Sequence, residues 1–255
     1  MRKQPIFPLW LLMITAVLGL AGCSNQGARN TLAPSSAQSL AANPNATRTI
    51  TIPFDAGDFA THTPNNLFPL VPHTLYVYSQ ETPDGVEIDS VEVTTDTKVI
   101  ASVTTTVVRD KVYLNGSLKE DTFDWYASDK DGNVWYFGED TKEIASGSTQ
   151  GSWEAGKNNA QPGIIMLAHP MVGDVYQQEN SPGIVADMAR VKDLNATAVT
   201  PYRTFTGCLK TQEWTPLETG SRAFKLYAPG VGTVMEDENK AGGPVVLTSF
   251  TAPGP

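Results

Sequence analysis

Short runs rich in Val, Thr, Tyr, Trp and Phe, each closed by a turn signal, fill the chain from Ile50 onward. They restrict it to an antiparallel β architecture. Asn115-Gly116 is the sharpest of these signals, because both residues readily take the positive φ angles of a type I′ hairpin. It joins residues 103–114 to 118–127. Thr82-Pro83-Asp84-Gly85 separates strands at 75–79 and 86–93, Ala101-Ser102 turns 98–100 back onto 103–114, and Asp131-Gly132 leads into 134–137. The first half is thus a meander of about six strands.

The second half repeats the texture more loosely, with strands expected at 164–167, 175–178, 184–191, 205–211, 223–227, 232–236 and 245–250. The 184–194 run also fits an amphipathic helix by spacing. Pro182-Gly183 before it and Asn195 after it bound it like a sheet element, so it is assigned to strand. The fold expected is mainly β: a single antiparallel meander sheet, curved, open or closing part-way into a half-barrel, with little helix.

The N-terminus is of another kind. Arg2 and Lys3 precede an apolar run from Leu9 to Leu20, broken only by Thr15, and the run ends in Leu20-Ala21-Gly22-Cys23. This layout resembles a bacterial lipoprotein signal with its lipobox. The resemblance implies removal of residues 1–22, a diacylglyceryl thioether on Cys23, and an amino group often acylated as well, with chains such as palmitate. Several chains anchor firmly where one holds marginally, since each buried methylene contributes about 0.8 kcal/mol. An uncleaved membrane helix needs about 20 apolar residues, more than this run supplies. An ordinary secretory signal with a chance cysteine is the other alternative, because Ala21-Gly22 suits it too. Ser24 stands where an aspartate would imply inner-membrane retention, which favours the outer membrane in a cell with two membranes, the domain facing either periplasm or exterior.

Four segments follow: a signal at 1–22, the lipidated Cys23 with a flexible tether through 49, one β domain at 50–250, and a disordered tail at 251–255. The tether is Ser, Asn, Ala, Gln, Pro and Thr, with too few large apolar side chains to offset ordering entropy. As a random coil its ends lie about 30 Å apart. Loss of Arg2 and Lys3 leaves 16 Lys+Arg against 27 Asp+Glu in the mature chain. That balance, without a basic patch, argues against nucleic acid as a partner and leaves the lipid as the membrane contact. Cys208 is then a lone thiol with no histidine near it in sequence, as expected of a buried, inert cysteine.

Several stretches carry a wider resemblance. They are Asn66-Leu67-Phe68-Pro69-Leu70-Val71-Pro72, Asp124-Trp125-Tyr126, Gly132-Asn133-Val134-Trp135-Tyr136-Phe137-Gly138-Glu139-Asp140 and Gly151-Ser152-Trp153-Glu154-Ala155-Gly156. Pro162-Gly163-Ile164-Ile165-Met166, Thr204-Phe205 with Cys208-Leu209-Lys210, and Tyr227-Ala228-Pro229-Gly230-Val231-Gly232 follow in order. The series resembles a widespread group of uncharacterised secreted and lipid-anchored bacterial β proteins and spans residues 66 to about 236. It implies membership without implying an activity. His73 and Arg203 stand where the group would have small turn residues, typically glycine. At fold level, a one-sheet meander is also similar to the half-barrel lipoprotein carriers of the envelope.

The chemistry-bearing candidates centre on one aromatic hairpin. Trp125, Trp135, Phe137, Trp153 and Glu154 could form a ligand-binding face, with Trp135 and Phe137 on one side of the strand and Tyr136 on the other. Tryptophan beside carboxylates also suits sugar binding, or glycan hydrolysis if two carboxyls face each other across a cleft. The competing reading is structural: cross-strand aromatic pairs hold the hairpin, and the acids keep its end soluble. Asp129-Lys130-Asp131-Gly132-Asn133 departs from the calcium-loop register and reads as a hairpin turn. Met166, His169 and Met171 could contact copper but lack a fourth ligand, so no metal or cofactor is assigned. Gly230-Val231-Gly232 shapes a bend rather than a phosphate cradle. No nucleophile motif is present, and no catalytic residue is assigned. The sequence favours a non-catalytic binding role, toward an apolar or lipid-like molecule or an envelope partner, over a glycan-binding or glycan-hydrolysing enzyme or a structural envelope role.

Overall fold

The structure, a computed structural model, describes residues 47–238 and 242–254. Cys23, the signal and all but the end of the tether lie outside the described residues. The strands are β1 (Arg48–Thr49), β2 (Leu75–Thr82), β3 (Gly85–Ile100), β4 (Val103–Leu114), β5 (Ser117–Ser128), β6 (Val134–Glu143), β7 (Trp153–Glu154) and β8 (Gln161–Met166). After them come β9 (Asp174–Gln177), β10 (Glu179–Asn180), β11 (Met188–Val199), β12 (Thr204–Trp214), β13 (Ala223–Ala228), β14 (Gly232–Asp237) and β15 (Val245–Thr251). A 3-10 turn at Ala56–Phe59 is the one helical element among the described residues, and no helix there is long and apolar enough to cross a membrane.

All strands belong to one sheet in the order β1-β9-β11-β12-β13-β14-β15-β2-β3-β4-β5-β6-β8-β10, with β7 beside β6. Two meanders, β2–β6 and β11–β15, are fused because the last strand pairs with the first: Leu247 lies opposite Tyr78 and Phe250 opposite Tyr76. Every pair is antiparallel except β1 with β9, which run parallel. The sheet is curved and not closed into a barrel. Its two ends are nonetheless close in the chain, since only Gln178 separates β9, beside the end strand β1, from β10 at the other end. Gln178 sends its Nε2 to Ile165 O on one side and to Glu213 Oε1, 3.3 Å away, on the other. Bulges in β3, β6 and β11 supply the curvature, because an extra residue bends a strand and tightens its twist.

Several boundaries differ from the sequence reading, and Thr251, assigned to the tail, ends β15 opposite Leu75. Arg48 and Thr49, assigned to the tether, form β1, and Arg48 grips Asp174 through Nε and Nη2 at 2.7 and 2.9 Å. The strand expected at 184–191 begins at Met188 and runs on to Val199. Residues 181–185 form a tight turn around Pro182-Gly183, closed by hydrogen bonds between Ser181 and Val185 in both directions of the bridge. Finally, 86–93 and 98–100 are one strand, β3, interrupted only by the bulge between Val93 and Thr97.

Directly paired residues share a face, so the register defines the inner surface. Tyr78 faces Asp89, Val91 faces Asp110, Val108 faces Asp124, and Asp124 faces Glu139. On the other meander Glu213 faces Ala189, and Lys225 lies between Thr211 and Glu236. The concave face therefore carries a belt of carboxyls among Tyr76, Tyr126, Tyr136, Tyr227, Val234 and Leu247, all buried.

Candidate functional site

A cavity opens on this concave face between the two meanders. Tyr76 and Tyr78 of β2, Val91 and Val93 of β3, Val108 of β4, Tyr126 of β5 and Val245 of β15 give it apolar walls. The loop Phe68-Pro69-Leu70, half-buried, forms a further side. The cavity offers about 60 Å³ to water centres, room for several waters.

Local structure holds these walls in place. Tyr76 donates from its hydroxyl to Val231 O at 2.8 Å, and Tyr78 donates to Thr233 O at 3.0 Å, so both rings reach over β15. The rings stack 6.2 Å apart. Gly232, at φ 103°, lets the backbone pass close to Pro69 and to the Tyr76 hydroxyl. Phe68 packs on Tyr126 with ring centroids 5.2 Å apart. Asn65, buried at the base of the loop, donates to Gly132 O and Leu167 O and accepts from the Leu67 N–H.

Against these apolar walls stand four carboxyls: Asp89, Asp110, Asp124 and Glu236. Asp89 is 1% exposed, and its Oδ1 has no hydrogen-bond partner. Burial pushes Asp89 up to about 6, against a hydrogen bond with Asp110 that favours its charged form, while Glu87 and Asp124 repel it further upward. Asp124 is pushed up to about 8, first by burial and then by the charge of Asp110, although the Tyr136 hydroxyl donates to its Oδ1 at 2.6 Å. The same hydroxyl lies 3.1 Å from Glu139 Oε2, and Glu139 too is raised well above the ordinary carboxyl range by burial and by Asp124. Glu120 rises to about 7 and Asp187 to about 6, mainly by burial. Among the described residues Lys225 is the one buried lysine or arginine. Its Nζ lies 3.0 Å from Glu213 and 3.7 Å from Glu236. Burial disfavours its charge, but these two carboxylates more than reverse that and hold it protonated.

The residues singled out from sequence lie elsewhere, and none of them lines the cavity. Trp135 and Phe137 share a face as expected, and there they meet Phe54 and Phe59 edge-on at 5.6–6.0 Å. Trp135 also donates its Nε1 proton to Asp129 Oδ2. Trp125 packs beneath Lys98, whose Nζ stands 3.3 Å from the ring centre. Glu154 binds that same Lys98 and Lys157, both at 2.9 Å. Trp153 lies on the concave side, edge-on to Tyr136. The five residues are therefore divided between two faces, and the four rings are buried.

Asp129 spends both oxygens within its turn: Oδ1 accepts from the Asp131 and Asn133 N–H groups, Oδ2 from Asn133 Nδ2 and Trp135 Nε1. Met166 is fully buried while His169 and Met171 are exposed, so these three do not converge. Cys208 is buried, and its thiol is pushed up by burial against a backbone hydrogen bond at Ala198. His73 takes φ 67°, as befits a glycine-like turn position, whereas Arg203 is not left-handed and lies over the rings of Phe205 and Tyr202.

No protein-family model matches the chain, and no curated protein matches it either. Among solved structures, one from Parabacteroides distasonis, described as a "putative lipoprotein", is similar at 16% identity. That match covers 74% of this chain and 100% of the other, with a TM-score of 0.42.

Proposed function

We propose that the protein is a lipid-anchored envelope protein that binds an apolar small molecule on the concave face of its sheet without transforming it. In this reading Cys23 carries the acyl chains, the outer membrane is its site, and the chain falls within the secreted and lipid-anchored group whose motif order it resembles. The observation that carries the binding role is the cavity under Phe68-Pro69-Leu70, walled by valine side chains and by Tyr76 and Tyr78, whose hydroxyls are held by hydrogen bonds across β15. An apolar wall with a few convergent polar groups is the usual composition of a small-molecule site.

Native mass spectrometry with lipid extraction, on protein purified from its own host, tests the role. A reproducible co-purifying small molecule, lost when Val91→Trp fills the cavity, is the expected result. A ligand-free mass from several preparations overturns it. Labelling with a radioactive fatty acid tests the anchor: label is expected on the chain and absent from Cys23→Ser, and an unlabelled parent chain removes the lipid anchor.

A further inference from the structure

We propose that the cavity takes a primary ammonium group carried on an apolar body, the ammonium seated against Asp89, Asp110 and Asp124. The inference deepens the binding role proposed above and rests on it. Three features of the site select this chemistry. First, the walls at Phe68, Leu70 and Val91 call for an apolar body. Second, Asp89 once ionised, above about pH 6, only accepts hydrogen bonds, whereas an ammonium offers three donors and no acceptor. An alcohol offers one, and a carboxylate or phosphate would bring a further negative charge against the same groups. Third, Asp89 Oδ1 is buried without a partner at the wall of a space large enough for a ligand head group. A buried acceptor in that state is destabilising unless something donates to it.

The other cations of the protein do not fill this role. Lys225 is engaged by Glu213 and Glu236. Among the described residues no group of three His, Cys, Asp or Glu is arranged to hold a metal ion. The groups facing Asp89 are Tyr78, Glu87, Asp110, Asp124 and Glu236, all acidic or neutral. Ammonium binding should therefore weaken as pH falls below about 6, where Asp89 takes up a proton.

The test is isothermal titration of the full chain, in a nonionic maltoside detergent, with octylammonium chloride, octanol and octanoate, each against a protein-free detergent blank. Octylammonium is expected to bind saturably, one per chain, at least tenfold tighter than octanol, with no binding of octanoate. Asp89→Asn is expected to lose at least tenfold for octylammonium and to leave octanol unchanged. If that variant does not fold, the parent chain at pH 5 and pH 8 decides, with tighter octylammonium binding expected at pH 8. Octanol binding as tightly as octylammonium overturns the ammonium assignment and leaves apolar binding standing. Absence of saturable binding for all three overturns both. A parallel titration with lysophosphatidylethanolamine distinguishes the sources of the shared chemistry. Binding equal to octylammonium assigns the site to a lipid head group, and weaker binding assigns it to a free amine.

Discussion

Ala101 and Ser102 hold φ angles of 48° and 68° at the tip of the β3–β4 hairpin, where Ile100 pairs with Val103. The left-handed region costs an ordinary L-residue about 1–2 kcal/mol. Asn115-Gly116 meets the same demand one hairpin later with residues suited to it, at 50° and 79°. Ser102→Gly should therefore stabilise the protein by about 0.5–1 kcal/mol, after the added freedom of glycine in the unfolded chain is deducted. Thermal unfolding read by circular dichroism checks it, and a lower Tm would contradict the strain. Lys225→Met should act in the other direction. It leaves Glu213 and Glu236 facing each other without their ammonium, and breaking a buried pair from one side costs about 3–5 kcal/mol. The cost should be smaller at pH 5 than at pH 8 in urea unfolding, because a proton can replace the lysine charge. At this scale the turn residues were legible in the sequence and the carboxyl belt was not, although its signal was present. Asp89 is in phase with Val91 and Val93, Asp110 with Val108 and Val112, and Asp124 with Tyr126. Reading alternation as apolar-in and polar-out assigns such acids to solvent, and only the register shows them on the buried side.

The hairpins from β2 to β6 were legible as elements because local turn chemistry fixes both their ends and their register. β11 was displaced for the opposite reason. Lys192, Asp193, Leu194 and Asn195 are exposed, and the strand shifts register against β12 three times, so no period survives in the sequence. The aromatic hairpin of Trp125, Trp135 and Phe137 was legible as a hairpin, but its cover was not, because Phe54 and Phe59 arrive from far along the chain. Closest to illegible is the junction of β8 with β10. Gly163 lies in β8 against the Gln178 carbonyl, and a Cβ there would stand 2.2 Å from that oxygen. Gly163→Ala must push the β9–β10 segment away from β8, which strains the one residue that ties the two ends of the sheet. A loss above about 2 kcal/mol is expected, with hydrogen exchange accelerated first at 174–180. Uniform protection across that segment would show that the junction has room to yield.

The molecule as a whole encloses more acid than base, and that sets how it responds to pH. Five buried carboxyls and the half-buried Asp187 are raised above their ordinary range: Asp89 and Asp187 to about 6, Glu120 to about 7, Asp124 to about 8, with Glu139 and Glu179 well above. Burial is the leading cause in each case, because desolvation penalises the charged form. In the unfolded chain the same groups titrate near pH 4. Between about pH 4 and 8 the native state therefore binds more protons than the unfolded state, and stability falls as pH rises. The contribution of these groups is fully present below their unfolded pKa and is lost as pH rises through their folded values. Glu154 has the opposite sign. Its burial would raise it, but hydrogen bonds from Lys157 and Lys98 hold it below its ordinary value, so its contribution fades as pH falls through that lowered value. The maximum of stability should accordingly lie on the acid side of neutrality, about pH 4–6. Calorimetry should give a Tm at least about 5 °C higher at pH 5 than at pH 8. Each tenfold gain in a carboxyl's proton affinity on folding is worth about 1.4 kcal/mol, and each kcal/mol moves Tm by about 2–4 °C at this size. Asp124→Asn keeps an acceptor for the Tyr136 hydroxyl and removes the group titrating near 8. It should flatten the Tm profile between pH 7 and 8 while leaving the slope near pH 6, set by Asp89 and Asp187, in place. A Tm that rises from pH 5 to 8 in the parent chain would mean that the carboxyl belt is solvated and ionised, and the concave face would then be open to water along its length.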